Sequence, residues 1–369
     1  MDIAIAHDYL TQRGGAERVV LTMSDAFPEA PIYTTLHDAA ATFPGFAGRD
    51  IRPSTLNRAP LLRSNHRLAL PFLAADVDRI RIDADVVLAS SSGWAHGVRT
   101  DGRKIVYCHA PARWLYQTGR YAGGGSVRGL GVRAAVTLLG QQLRRWDQAA
   151  ARSADRYLVN STVIRDAVKQ VYGVDAEVVP PPPALLPAGV EDEVPGLEPG
   201  YLLVVARLLP YKNVDHVIRA VLAHGAQRLV IVGRGPDRAR LEAIAGGSPR
   251  IVFAGGVSDP QLRWLYRNAT ALVAAAYEDY GLTPLEAASF GRPVLALRDG
   301  GFLDTVVDGV TGVFFEQAHE APIAAAIGRL SSTDWDAQRI AAHAESFSAE
   351  RFAARLTEIV TGTRSVQAA

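Results

Sequence analysis

Ala271-Leu272-Val273-Ala274-Ala275-Ala276-Tyr277-Glu278-Asp279-Tyr280-Gly281-Leu282-Thr283-Pro284-Leu285-Glu286-Ala287 holds a whole βα unit in one stretch. Ala271–Ala274 is a short apolar run of strand type. Gly281 permits a tight turn, Thr283 can cap a helix, and Pro284 suits a first helical turn. A strand that feeds a helix in this way leaves the N–H groups of Gly281, Leu282 and Thr283 at a helix N-terminus, where they favour an anion. Glu278 sits on the loop and Glu286 about one turn into the helix, and carboxylates at such places accept paired hydrogen bonds from sugar or ribose hydroxyls. Acids also favour a helix N-terminus for purely structural reasons. That does not account for Glu286 amid the apolar run Leu285–Ala288.

The same unit recurs outward in both directions. Strand-type runs occur at Asp2–Ala6, Val86–Ala89, Lys104–Cys108 and Arg156–Asn160, then at Leu202–Ala206, Leu229–Val232, Ile251–Ala254, Ala271–Ala274 and Pro293–Leu297. Each is short, apolar and separated from the next by a helical pattern, which predicts α/β architecture with doubly wound parallel sheets buried on both faces. The chain has 369 residues, more than one compact core holds. Pro180-Pro181-Pro182-Pro183 can continue neither a helix nor a central strand. We therefore expect an N-terminal domain over 1–180, a Pro-rich connector over 181–199 and a C-terminal domain over 200–369. The last helix, about Ser348 to Val360, could pack on either. Ligands of such folds bind beyond the carboxyl ends of the strands, so the chemistry is expected in the loops that follow them.

Four more loops of this kind carry candidates. Gly14-Gly15, after the first strand and opening a helix, lets backbone N–H groups approach an anion, although it lacks the spaced glycines of a dinucleotide fingerprint. Arg207 and Lys212, on the loop after Leu202–Ala206, can grip a diphosphate from two sides. His109, in Val106-Tyr107-Cys108-His109-Ala110-Pro111, ends a strand. Ser90-Ser91-Ser92-Gly93 ends another, has no nucleophile-elbow pattern, and is expected to bind acceptor hydroxyls. Trp94 and Trp114 are expected in cleft-facing loops, and Cys108 as a small buried apolar residue.

Charge is unevenly placed. Residues 1–180 hold 22 Lys and Arg against 17 Asp and Glu, and residues 181–369 hold 17 against 21, so the first half is expected to meet something anionic. No acid occurs in 51–75, with Arg52, Arg58, Arg63 and Arg67, or in 102–146, with Arg103, Lys104, Arg113, Arg120, Arg128, Arg133, Arg144 and Arg145. The start of the chain does not read as a signal peptide, no window is apolar enough to span a membrane, and the one cysteine allows no internal disulfide. A cytoplasmic protein is expected, with no nucleic-acid partner.

Taken in register, these motifs resemble the family 4 glycosyltransferases of the GT-B fold over nearly the whole chain. Glu278 and Glu286 match that family's signature, Arg207 and Lys212 its basic pair, and Gly14-Gly15-Ala16-Glu17-Arg18 its first loop. Val232-Gly233-Arg234-Gly235-Pro236, Phe253-Ala254-Gly255-Gly256-Val257, and the segment from Gly291 through Gly300-Gly301 to Gly312 match further. Asp279-Tyr280 departs from the family, many of whose members have a small residue or proline and then phenylalanine; the ring is kept.

The resemblance implies two Rossmann-like domains facing across a cleft, and a retaining, metal-independent transferase with a nucleotide-sugar donor and no cofactor. Gly15, Arg207, Lys212 and the N–H groups near Leu282 and Thr283 would bind the diphosphate, and Gly14, Gly233 and Gly281 would also bind the donor. Glu286 would hold the ribose, Glu278 the transferred sugar, Val257 and Asp259 the base, and His109 would lie beside the sugar. His7-Asp8-Tyr9-Leu10 and Tyr107–Pro111 are similar to mannosyltransferases of bacterial surface polysaccharides, which makes GDP-mannose the first donor and a UDP-sugar the second. A lipid-linked or saccharide acceptor is implied, and with it peripheral contact with the inner face of the plasma membrane. A nucleotide-sugar epimerase and a non-catalytic nucleotide-sugar-binding subunit are the rival readings.

Overall fold

The computed structural model describes residues 1–116, 127–223 and 227–362, with the backbone alone at 66–67, 71 and 127–139. Its chain divides into two units, Met1–Pro181 with Ala349–Ala369, and Pro182–Ser348.

Unit 1 holds β1 (Ile3–His7), β2 (Ile32–Thr34), β3 (Ile51–Pro53), β4 (Val86–Ser91), β5 (Arg103–Cys108), β6 (Arg156–Val159) and β7 (Glu177–Val178). They form one sheet in the order β3-β2-β1-β4-β5-β6-β7, every pair parallel. Unit 2 holds β8 (Tyr201–Val205), β9 (Leu229–Val232), β10 (Ile251–Gly255), β11 (Ala269–Ala274), β12 (Val294–Leu297) and β13 (Gly312–Phe315), in the order β10-β9-β8-β11-β12-β13 and again all parallel. This is the doubly wound architecture expected, twice. In each sheet the strand order reverses between two central strands, β1 and β4 in one, β8 and β11 in the other. Crevices for ligands open at such reversals.

The nine expected strands all occur, with ends within two residues of those read from the sequence. β2, β3, β7 and β13 were not anticipated. β3 carries Pro53 and stands at a sheet edge, where a missing N–H costs nothing; β7 is two residues long. Neither leaves a periodic signal.

One boundary left open by the sequence is decided, and one differs from expectation. The helix Ala349–Thr361 belongs to unit 1: Phe352, Leu356, Ile359 and Val360 lie on one face at helical spacing and are buried against Ile5, Val20 and Tyr107. Arg103 donates to the carbonyls of Ile359 and Val360 at 2.8 Å each. The segment expected as a connector is instead part of unit 2. Leu185 enters its core, the Asp192 N–H donates to Pro260 O at 3.2 Å, and Glu191 pairs with Arg267. Its prolines stop regular structure but do not stop side chains from burying apolar surface.

Candidate functional site

In unit 2 the reversal between β8 and β11 brings together the loops that carry the candidate charges. After β8 the chain passes exposed Arg207 and turns through a 3-10 helix, Pro210–Lys212. Asn213 follows in the left-handed region at φ 56°, and its Nδ2 donates to Ala275 O at 2.8 Å, tying this loop to the one after β11. The Lys212 ammonium then forms an ion pair with Glu278. The lysine side chain is 11% exposed and the glutamate 37%, so solvent screens the acid more than the base. The sequence presented them as separate binders of diphosphate and sugar. The fold makes them one unit, in which each charge is already paired with the other. Gly301 N–H donates to Glu278 O at 2.8 Å and holds the backbone of this loop.

The helix after β11 is Leu282–Ser289, with Gly281 as its N-cap at φ 107°. No side chain caps it, so Thr283 does not take the capping role expected of it. Glu286, on the first turns of this helix, is buried, and its Oε2 accepts from the Tyr266 hydroxyl at 2.7 Å. Tyr266 lies on the helix Asp259–Asn268 and stacks on Phe290, with ring centroids 5.4 Å apart. Burial, then the neighbouring carboxylate, pushes the Tyr266 phenol well above its ordinary pKa, so it stays a donor to Glu286. Tyr266 is the site residue that the sequence did not disclose: it reads there as one more aromatic of an amphipathic helix, twenty residues from its partner.

Other donor candidates divide. Gly233 does not present an N–H to a ligand, because that group donates to Gly255 O at 2.7 Å. Its glycine identity has a packing cause: a Cβ there would lie 1.9 Å from Ala206 O, at φ 134°. Val257 packs partly on the core, and Asp259 is exposed on the first turn of a helix closed by a Ser258–Gln261 capping box. Tyr280, at the departure from the family pattern, is buried.

In unit 1, Gly14 is the N-cap of the helix Gly15–Ala26, and Gly15 is exposed. Beneath this loop Glu17 is buried and accepts from Gln12 Nε2 at 2.8 Å. His109 follows β5, buried, with its N–H donating to Ser91 O at 2.8 Å and its carbonyl accepting from Asn160 Nδ2 at 3.1 Å. Its Nε2 lies 2.8 Å from Ser90 Oγ on β4, and the same hydroxyl lies 3.2 Å from His7 Nδ1 on β1. Burial foremost, then the charges of His7 and Arg113, push the His109 pKa down to about 3, so the ring is neutral at working pH.

Two members of the serine run, Ser90 and Ser91, are not open to an acceptor as expected. Ser90 is committed to the two histidines, and Ser91 Oγ lies 2.8 Å from His96 Nδ1; both serines are fully buried. The Asp8 carboxylate fixes the run by accepting from the N–H groups of Ser92, Trp94 and Ala95 at 2.6, 3.0 and 2.6 Å. Trp94 is likewise buried, stacked on Trp114 at 4.5 Å, and is core, not cleft lining. Cys108 is buried as expected.

The basic stretches also shrink on inspection. Arg52 pairs with Asp50, Arg103 caps the last helix, and buried Lys104 donates to His96 O and Val98 O at 3.1 and 2.9 Å. Arg120 lies outside the described residues, as do the side chains of Arg67, Arg128 and Arg133. Among the described residues, no helix is long and apolar enough to cross a membrane.

Comparison with known proteins fits this layout. The family model described as Glycosyltransferase Family 4 matches residues 13–182, and that described as Glycosyl transferases group 1 matches residues 191–347. A D-inositol 3-phosphate glycosyltransferase of Acidothermus cellulolyticus is 30% identical over 209 residues, 48% of this chain and 46% of that one. The α-1,3/1,6-mannosyltransferase ALG2 of Dictyostelium discoideum is 42% identical over 64 residues, 17% and 15% of the two chains. The chain thus spans about half, or less, of the length of such curated relatives. Among solved structures, Anabaena Alr3699/HepE in complex with UDP superposes with a TM-score of 0.70 at 17% identity, covering 98% of this chain and 100% of that one, a likeness of fold. With one family model on each half and the two parallel sheets beneath them, the chain belongs to the family 4 glycosyltransferases of the GT-B fold.

Proposed function

We propose that the protein transfers a hexose from a nucleoside-diphosphate sugar to a lipid-linked or saccharide acceptor, with retention at the anomeric carbon and without a metal ion. The observation that carries this reading is the Lys212–Glu278 pair at the β8/β11 reversal, with Glu286 held by Tyr266 on the adjoining helix. The bond from the anomeric carbon to the diphosphate breaks as the acceptor oxygen bonds to that carbon on the same face. The departing phosphate oxygen takes the acceptor's proton. Lys212, Arg207 and the N–H groups at the start of the helix Leu282–Ser289 stabilise the charge that develops on the diphosphate, the kind of preorganised electrostatic aid that commonly dominates catalysis. Glu286 accepts from the ribose and Glu278 from the sugar. His109 contributes to the sugar side, Gly14 and Gly15 to the phosphates, and Val257 and Asp259 to the base. Incubation with donor and acceptor, scored for glycosylated product and for epimerised donor, separates this reading from its rivals.

GDP-mannose is the first donor. The opening motifs and the match to a mannosyltransferase support it. A UDP-sugar is the second reading, favoured by the Anabaena protein of this fold, which is complexed with UDP-glucose. A thermal-shift panel decides between them, because a ligand that binds only the folded state raises Tm. GDP-mannose and GDP are expected to raise it most; a larger shift with UDP or UDP-sugars reverses the order.

The acceptor side is proposed to meet an anionic membrane surface from the cytoplasmic side. Leu61, Leu68 and Phe72 are exposed on the adjacent helices Pro60–Ser64 and His66–Val77, with Arg58 and Arg63 beside them in an acid-free stretch. Exposed apolar residues interleaved with cations suit an interface. The protein is expected to float with anionic liposomes at low salt and to be released at high salt as the screening length shortens. Equal recovery with anionic and neutral liposomes, or none with either, sinks the membrane proposal and leaves the transferase reading standing.

A further inference from the structure

Three polar side chains from three neighbouring strands form a buried row at the strand-order reversal of unit 1. They are His7 at the end of β1, Ser90 in β4 and His109 directly after β5. A neutral imidazole has one protonated and one unprotonated nitrogen, and which is which follows from what each nitrogen meets. His7 Nδ1 lies 3.1 Å from the Ser90 carbonyl oxygen. A carbonyl can only accept, so an unprotonated Nδ1 would set two lone pairs against each other in a buried site. Nδ1 of His7 therefore carries its proton and donates it to Ser90 O, with Oγ, at 3.2 Å, sharing it. Ser90 Oγ is thereby an acceptor on the His7 side; if it also accepted from His109 Nε2, its own hydrogen would be left without an acceptor in a buried site, so that hydrogen goes to His109 Nε2, at 2.8 Å. A nitrogen that accepts from a hydroxyl is unprotonated.

We infer that His7 and Ser90 are positioning residues that hold His109 in one tautomer, Nε2 unprotonated and Nδ1 protonated, so that this ring can donate a hydrogen bond to substrate but cannot take a proton from it. The role toward substrate rests on the proposed placement of His109 beside the donor sugar; the tautomer does not. The neutrality of the buried ring makes the choice of tautomer well defined, and bonds to the N–H and the carbonyl of His109 fix the backbone that carries the ring. The inference also agrees with the proposed chemistry, in which the departing diphosphate, not a histidine, takes the acceptor's proton. Other buried hydroxyls nearby do not alter the chain of donors, since Ser91 turns to His96.

The test begins with the wild-type protein and no donor. Isotope-labelled histidine distinguishes protonated from unprotonated ring nitrogens by NMR, and His109→Asn identifies the resonances of that ring. The expected spectrum has His109 protonated at Nδ1 only, and His7 with a proton on Nδ1. Protonation of His109 at Nε2, or comparable populations of both forms, overturns the inference whether or not the protein proves to be a transferase. Ser90→Ala removes the hydroxyl and is expected to give mixed tautomers, with kcat lowered about tenfold to a hundredfold through loss of alignment and donor KM little changed. Ser90→Thr, which keeps the hydroxyl, is expected to restore the single tautomer and most of the rate. Unchanged kcat in Ser90→Ala with altered tautomers removes the positioning role. Absence of transfer by the wild type with every donor removes the functional reading instead, and leaves the tautomer result intact.

Discussion

Replacement of Lys212 by alanine is expected to lower the rate of sugar transfer by about a hundredfold or more, the usual consequence of removing one preorganised group that faces developing negative charge. Arg207→Ala should act in the same direction. Nucleoside-diphosphate affinity should fall in both variants, and the melting temperature should move by no more than a few degrees. Arg207 is exposed, and the Lys212–Glu278 pair is partly solvated, so neither is a large contributor to folding. The ion pair adds a sharper expectation than the sequence allowed. Because Lys212 and Glu278 touch, their losses should not add: the double variant Lys212→Ala/Glu278→Gln should be less impaired than the product of the single effects. Single-turnover rates with the preferred donor, titration with the nucleoside diphosphate and a thermal melt supply the measurements. Wild-type turnover in Lys212→Ala removes that residue from the mechanism, and additive losses dissolve the coupled pair.

The second expected result separates the two carboxylates. Glu286→Gln should keep the fold and weaken both the nucleotide sugar and the nucleoside diphosphate, since both carry the ribose. The loss should be on the order of tenfold to a hundredfold, the value of a hydrogen bond to a charged group. Tyr266→Phe deletes only the hydroxyl that donates to Glu286 Oε2. It should shift affinity in the same direction by a smaller factor, because the carboxylate remains but is no longer aimed. Glu278→Gln should lower turnover of the nucleotide sugar more than it lowers diphosphate affinity. Calorimetric titration of the three variants with the nucleoside diphosphate reads the difference. Equal loss of affinity in Glu278→Gln and Glu286→Gln would make the assignment of ribose and sugar to separate acids untenable.

The strands were legible because a strand buried on both faces must be short, apolar and closed by turn residues, and β1, β4, β5, β8, β9, β10, β11 and β12 all satisfy that locally. Candidate loops were legible for the same reason, since each follows such a strand. Reading failed where local pattern and tertiary partner part company. Ser90 and Ser91 look in sequence like exposed hydroxyls at a loop, yet both are buried, and Asp8, just after β1 and more than eighty residues away, accepts from the N–H groups that follow them. Gly233 is expected among the donor-binding residues, yet its N–H and its missing Cβ both answer to neighbouring strands. Lys104 counts as part of a basic surface and is instead a buried clamp on two carbonyls.

By itself, then, the chain's order of residues determined two parallel α/β sheets, the loops that bear charge, and the family to which those loops belong. Those properties depend on spacing within a few residues, where backbone sterics and side-chain periodicity act. Which side chains meet was decided only by the tertiary structure. Lys212 and Glu278 are 66 residues apart, Tyr266 and Glu286 are 20, and His7 and Ser90 are 83. In a doubly wound sheet, strands that are neighbours in space are remote in the chain at the very point where the order reverses. Hydrogen bonding between β1 and β4 sets His7 beside Ser90, and that between β8 and β11 brings together the loops of Lys212 and Glu278, and no local regularity of the sequence encodes either distance.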